Sequence, residues 1–326
     1  MVQRQDELPQ GKLPGKTFSK ILKNKYGVAG IALLCSVLWG SAFPVLKVTY
    51  GEMAFTPEDY GARIILAAIR FMLAGLVLLI VVWFGMGGTI RVERRFWPSI
   101  VILGILQISL QYFFFYNGLA KTTGMKGAIL QSSSVFFVVL LAHLFYKNDK
   151  LNWKKAFGLI TGFVGIILVN WGQEVNLSFS FTGEGFLILA GATSAAATII
   201  AKNLTRDINA FLLTGWQMVI GAALLFVVGF WDRGTIVLDF TPLAGGLLVY
   251  SVFLSATAFS LWYALLKYNK AGEIAVYRFM IPVSGALLSA VFIPGEEFNK
   301  TVIQALLLVA IGIFAVNYSS RSTNGI

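Results

Sequence analysis

The sequence holds one cysteine, Cys35, and one histidine, His143. A disulfide framework, a zinc cluster and a Cys/His nucleophile pair each need more than one copy of these residues. Charge is scarce as well. Charged residues make up 13% of the 326 positions, against about 25% in an ordinary soluble domain. All fifteen Asp and Glu residues fall in tails, loops or the ends of apolar runs. The chain therefore lacks the buried acid with which small multidrug pumps attract lipophilic cations and exchange them for protons. It has no Gly-rich Lys-Ser/Thr loop, so ATP does not drive it directly. Paired acids, Ser/His and His/Asp sets at depth are also missing, which argues against an embedded enzyme, and nothing points to a cofactor.

What the chain has is oil. Hydrophobic residues reach 57% of the sequence, and the mean hydropathy is +0.76. A bilayer-crossing helix needs about 20 mostly apolar residues. Ten such runs lie near 28–47, 62–84, 97–118, 124–146, 153–171, 183–203, 209–230, 242–266, 272–293 and 300–319. They predict an all-α integral membrane protein of ten transmembrane helices, flanked by a basic tail (1–27) and a short C-terminal tail (320–326). The tail and first run have the outline of a signal peptide. The run continues past Ala42, however, and nine more follow, so an uncleaved span is expected.

Lys and Arg set the orientation. With the N-terminus inside, the inner segments exceed the outer ones in Lys and Arg by three to one. Both termini are then cytoplasmic. The net charge of +11 reflects topology and attraction to anionic lipid rather than nucleic-acid binding.

The chain also repeats itself. FFFYNGLAKTTG (113–124) matches SLWYALLKYNKAG (260–272), and SSVFFVVLLAHLF (133–145) matches IPVSGALLSAVFI (281–293). TGFVGIILVN (161–170) likewise matches VAIGIFAVN (309–317), with the spacing between copies nearly constant throughout. Two five-span repeats, 28–171 and 183–319, follow from this. An odd number of spans per repeat inverts the second relative to the first, which places a substrate site near the midplane and suits alternating access.

LCSVLWGSAFPVLKV (34–48), AIRFMLAGLVLL (68–79) and IPVSGALLSAVFIPGEE (281–297) resemble the drug/metabolite transporter superfamily, EamA type, over about 28–319. One departure is Lys147-Asn148-Asp149, where the second half carries Gly295-Glu296. The resemblance implies a membrane carrier, often an exporter of amino acids or other small metabolites. Its cavity would be lined by spans 1, 3, 4, 6, 8 and 9, with 5 and 10 behind.

Polar residues at membrane depth should face protein or a water-filled cavity. By depth, the candidates for solute contact are Trp39, Gln107, Gln111, Gln131, Ser134, Tyr250, Tyr263, Tyr277 and Arg278. Ser41, Ser194, Thr198, Ser255, Thr257 and Ser260 share that depth, although bonding to a neighbouring helix is the commoner explanation of such residues. At Arg278, Pro282 removes the N–H that would meet the residue-278 carbonyl. A cation, a free carbonyl and the Tyr277 phenol would then form a cradle for a carboxylate. The alternative is an anchor that snorkels to headgroups or lies near Glu273. Pro44 frees the Gly40 carbonyl in the same way and suggests a kink. Arg70 is expected to point outward or pair with Glu58 or Asp59, and His143 to pack at the interface near Lys147. Gly158 and Gly162 form a GxxxG that serves packing in the bundle or a homodimer face.

With only positive charge fixed in the spans, neutral, zwitterionic or anionic small molecules are favoured over cations. The resulting expectation is a secondary exporter of small metabolites in a bacterial or archaeal inner membrane, with lipid as its other partner. A facilitative or proton-coupled importer stands beside it, and a lipid scramblase or membrane sensor represents a different class.

Overall fold

The computed structural model describes residues 16–56, 59–119, 121, 127, 130–169, 179–231, 238–293 and 300–318. Apolar runs become helices because a backbone in lipid must satisfy its own hydrogen bonds. The helices are α1 (Lys25–Glu52), α2 (Tyr60–Gly85), α3 (Arg94–Leu119), α4 (Ser133–Phe145) and α5 (Trp153–Val169). They continue as α6 (Phe181–Leu204), α7 (Ala210–Trp231), α8 (Pro242–Tyr268), α9 (Ala271–Phe292) and α10 (Lys300–Tyr318). Seven of them (α1, α2, α3, α6, α7, α8 and α9) are long and apolar enough to cross a membrane. The chain is therefore a multi-pass, all-helical protein in its described residues. The fourth run, expected from 124, forms a helix over Ser133–Phe145, with residues 127, 130 and 131 also helical and residues 122–126, 128 and 129 outside the described residues.

Helix starts follow local chemistry. The Asn24 side chain accepts the Tyr26 N–H at the start of α1 (2.9 Å). Thr241 accepts the Ala244 N–H at the start of α8, and Pro242 occupies the first turn, where its missing N–H costs nothing. Two irregular turns matter later. Ile105–Leu110 of α3 widens into a π turn, and Val276–Phe279 of α9 tightens into a 3-10 turn.

Packing follows a simple scheme. α2 lies on α7, and α5 lies on α10. α1 sits against α8 and α9, while α6 sits against α3 and α4. These pairings are unchanged when every helix is replaced by the one five places along, because α1·α9 becomes α6·α4 and α2·α8 becomes α7·α3. Small residues set two equivalent crossings. A Cβ at Gly40 of α1 would fall 2.8 Å from the Ile281 carbonyl oxygen and 2.9 Å from the Gly285 nitrogen, both backbone atoms of α9. At Gly191 of α6, a Cβ would fall 3.1 Å from the Ser134 nitrogen of α4. Backbones approach this closely only where a side chain is absent. Pro44 is carried inside α1, whose helix continues to Glu52.

Gly158 and Gly162 act within the bundle. The first meets the Gly312 backbone of α10, and the second meets the Phe279 ring. His143 closes a turn at the end of α4, where its Nδ1 accepts the Leu151 N–H (2.9 Å) and its carbonyl takes the Lys150 ammonium (2.6 Å).

Candidate functional site

α1, α6, α8 and α9 meet around Arg278. The 3-10 turn of α9 presents its guanidinium to Ser194 Oγ of α6, to which Nη2 donates at 3.3 Å. Two indoles face the same group, with Trp39 of α1 at 5.7 Å and Trp262 of α8 at 6.0 Å from ring centre to Cζ. Trp39 holds an edge-to-face contact with Trp262 and another with Phe259, both at 5.3 Å. Such contacts are favourable for a cation, but they do not neutralise it. Arg278 Nε is buried without a hydrogen-bond partner, and among the described residues no carboxylate forms an ion pair with this arginine. Its carbonyl, expected to be free opposite Pro282, instead takes the Met280 N–H in the tightened turn.

An amide cluster lies beside it. Gln107 and Gln111 are buried on α3, and Gln107 Nε2 donates to Gln111 Oε1. The π turn ending at Gln111 carries Gln107 within it. The Tyr263 hydroxyl reaches Gln107 Oε1 (3.5 Å) and Gln217 Oε1 of α7 (3.4 Å). Gln217 Nε2 and Gln131 Oε1 are buried without a partner. The Tyr112 and Tyr263 phenols both lie within electrostatic range of Arg278.

Some sequence candidates sit elsewhere. The Tyr250 hydroxyl bonds Ser41 Oγ (2.7 Å), about three turns along α8 from Trp262. Ser134 is buried against Gly191 at the α4–α6 crossing. The Tyr277 ring is fully buried, with Glu273 as its charged neighbour, and its carbonyl accepts the Ser36 hydroxyl (3.0 Å). The phenol therefore does not share the Arg278 cradle. Arg70 is neither outward-facing nor paired with Asp59, which instead accepts from Thr56, and Glu58 lies outside the described residues. Arg70 is 5% exposed and donates Nε to Ser255 Oγ of α8 (2.6 Å).

The profile of the EamA-like transporter family matches this chain twice, over residues 27–171 and 181–318. The chain belongs to the EamA-like transporter family. It is 27% identical to the uncharacterized transporter YvbV of Bacillus subtilis (strain 168), over 88% of this chain and 90% of that one. An uncharacterized transporter of Archaeoglobus fulgidus is 24% identical over 83% and 96% of the two chains. A WAT1-related chloroplastic protein of Arabidopsis thaliana is 22% identical over 86% of this chain and 67% of its own. A solved crystal structure shares the fold, with a TM-score of 0.74 and 15% identity over 90% of this chain and 96% of the other. As an EamA-like transporter, the protein is a membrane carrier for a small molecule and not an enzyme.

One end of this EamA-like bundle is tied together by hydrogen bonds between helices. Lys202 of α6 donates to the Leu266 and Asn269 carbonyls at the end of α8 (2.9 and 2.5 Å). Asn269 Nδ2 in turn bonds the Leu22 carbonyl (2.9 Å). On the α4–α5 turn, Asp149 and Lys155 form a buried ion pair. Asp149 Oδ2 also accepts the Gly272 N–H in the first turn of α9 (2.9 Å), where the helix dipole favours an anion.

Sequence reasoning passed over Gln217, Trp262, Phe259 and Tyr112. Gln217 carried a usable signal, because it lies as deep in its run as Gln107 does in its own.

Proposed function

We propose that the protein is a ten-span secondary transporter that carries small carboxylate-bearing metabolites, such as amino acids, outward across a bacterial or archaeal plasma membrane. The observation that carries this reading is Arg278, a partly buried arginine whose Nε is shut away without a partner and whose neighbours are a serine hydroxyl and two indole faces. Leaving a desolvated charge without a counter-ion is costly. A solute carboxylate supplies the missing partner through a two-pronged, charge-assisted hydrogen bond. The Gln107–Gln111–Gln217 amides and the Tyr263 hydroxyl lie nearby for the solute's other polar groups.

Two features support alternating access between inverted five-helix halves. The family profile matches the two halves separately, and the helix pairings survive exchange of the halves. In this reading the termini are cytoplasmic and the tied end faces the cytoplasm. Opening that end requires Lys202 to leave Leu266 and Asn269, and Asp149 to leave Gly272. The close α1–α9 and α6–α4 crossings act as paired pivots.

The test is counterflow in proteoliposomes with a panel of amino acids, other carboxylates, nucleobases, sugars and quaternary ammonium compounds. Saturable exchange of carboxylate-bearing solutes, with quaternary ammonium compounds excluded, is the expected result. Lipid scrambling without saturable solute flux, or exchange confined to cations, contradicts it.

A further inference from the structure

Arg70 is the second guanidinium inside the apolar part of the bundle. It rests on the Phe71 ring (5.1 Å) and donates Nε to Ser255, and among the described residues no carboxylate pairs with it. It also lines a pocket between α1, α2, α3 and α8, with Tyr50, Tyr116 and Ser251 in the walls. Tyr50 and Tyr116 bring phenols to the wall beside the cation, and the Tyr50 hydroxyl is buried there without a hydrogen-bond partner.

A file of rings joins this pocket to the Arg278 site. Phe71 touches Tyr112 (4.7 Å) and Phe259 (6.3 Å), Phe259 touches Trp39 (5.3 Å), and Trp39 faces Arg278. Tyr112 lies within electrostatic range of both guanidiniums. On α8, the Ser255 contact of Arg70 and the Trp262 contact of Arg278 are two turns apart. The two contact points are therefore about 10 Å apart along the helix axis.

We propose that Arg70 is a second anion station on the solute path, and that the solute is an organic dicarboxylate whose two carboxylates are read by Arg278 and Arg70 along the file of rings. The inference rests on the reading of Arg278 as the carboxylate site and extends it to a second charge. Among the described residues, a monoanion at Arg278 leaves the buried Arg70 without a counter-charge. A dianion of matching length neutralises both cations, and its apolar middle lies against Phe71, Phe259 and Trp39.

The experiment titrates the full chain in nanodiscs with linear α,ω-dicarboxylates of graded length and with the monocarboxylates of equal length. One dicarboxylate length should bind at least about tenfold more tightly than its monocarboxylate, as a second charge-assisted hydrogen bond requires. Arg70→Gln should remove that preference and leave monocarboxylate affinity unchanged, while Arg70→Lys retains part of it. Equal binding of both probes to the wild type overturns the inference, and so does a parallel loss of both in Arg70→Gln that Arg70→Lys does not restore. If either result comes with monocarboxylate binding that still depends on Arg278, the first site stands and only the second falls. If neither probe binds the wild type, the carboxylate reading of Arg278 fails and takes this inference with it.

Discussion

Replacing Arg278 by glutamine is expected to weaken carboxylate binding about 10- to 150-fold, the equivalent of losing ~1.5–3 kcal/mol of charged hydrogen bonding. The measurement is ligand-induced stabilisation of the purified protein, because a ligand that binds only the folded state raises the apparent melting temperature by mass action. At a concentration that stabilises the wild type, Arg278→Gln should show almost no shift. Arg278→Lys should fall between them, since lysine keeps the charge but lacks the planar fork. The unliganded variant should fold at least as well as the wild type, because it no longer holds a partly buried cation that has no carboxylate partner among the described residues. Equal shifts in wild type and Arg278→Gln would make Arg278 an anchor.

Asp149→Ala should have the largest effect on stability. Lys155 and Asp149 are 3% and 0% exposed in their side chains, and the carboxylate also holds the Gly272 N–H. Removing the acid strands a buried ammonium, which costs about 3–5 kcal/mol. The double variant Asp149→Ala/Lys155→Met should recover much of that loss, because no charge is then left unpaired. Denaturation of the three proteins under identical conditions checks this. A single variant as stable as the wild type would show that water or lipid compensates Lys155 and that the pair does not hold the α4–α5 turn to α9.

The sequence announced most of the helices because a bilayer leaves the chain little choice, and long apolar runs must satisfy their own backbones. Arg278, Gln107 and Gln111 stood out for a related reason, since depth makes a polar group conspicuous. Depth says nothing about azimuth, however. Arg70 was expected near Glu58 or Asp59 by proximity in the chain; Glu58 lies outside the described residues, but Asp59 holds Thr56 and Arg70 faces Ser255 on a helix far along the sequence. Trp262 and Phe259 stayed hidden because an aromatic residue in an apolar run does not differ from its neighbours until helices pack. The Tyr277 cradle failed through helical phase. Adjacent residues on a tightened turn project about 120° apart, so Tyr277 and Arg278 serve different surroundings.

Alternating access requires the Arg278 site to open to each side of the membrane in turn. The chain suits a direct test, because its one cysteine, Cys35, is fully buried. In a Cys35→Ala background, Ser194→Cys places a thiol beside the Arg278 guanidinium. Proteoliposomes are then treated with a membrane-impermeant thiol reagent from the inside or the outside, with and without solute gradients. Labelling from either side in turn, shifted by the direction of the gradient and blocked by saturating solute, is the expected result. Labelling from one side only under every gradient, or from neither side while solute flux persists, would contradict a shared, alternately exposed site at Arg278.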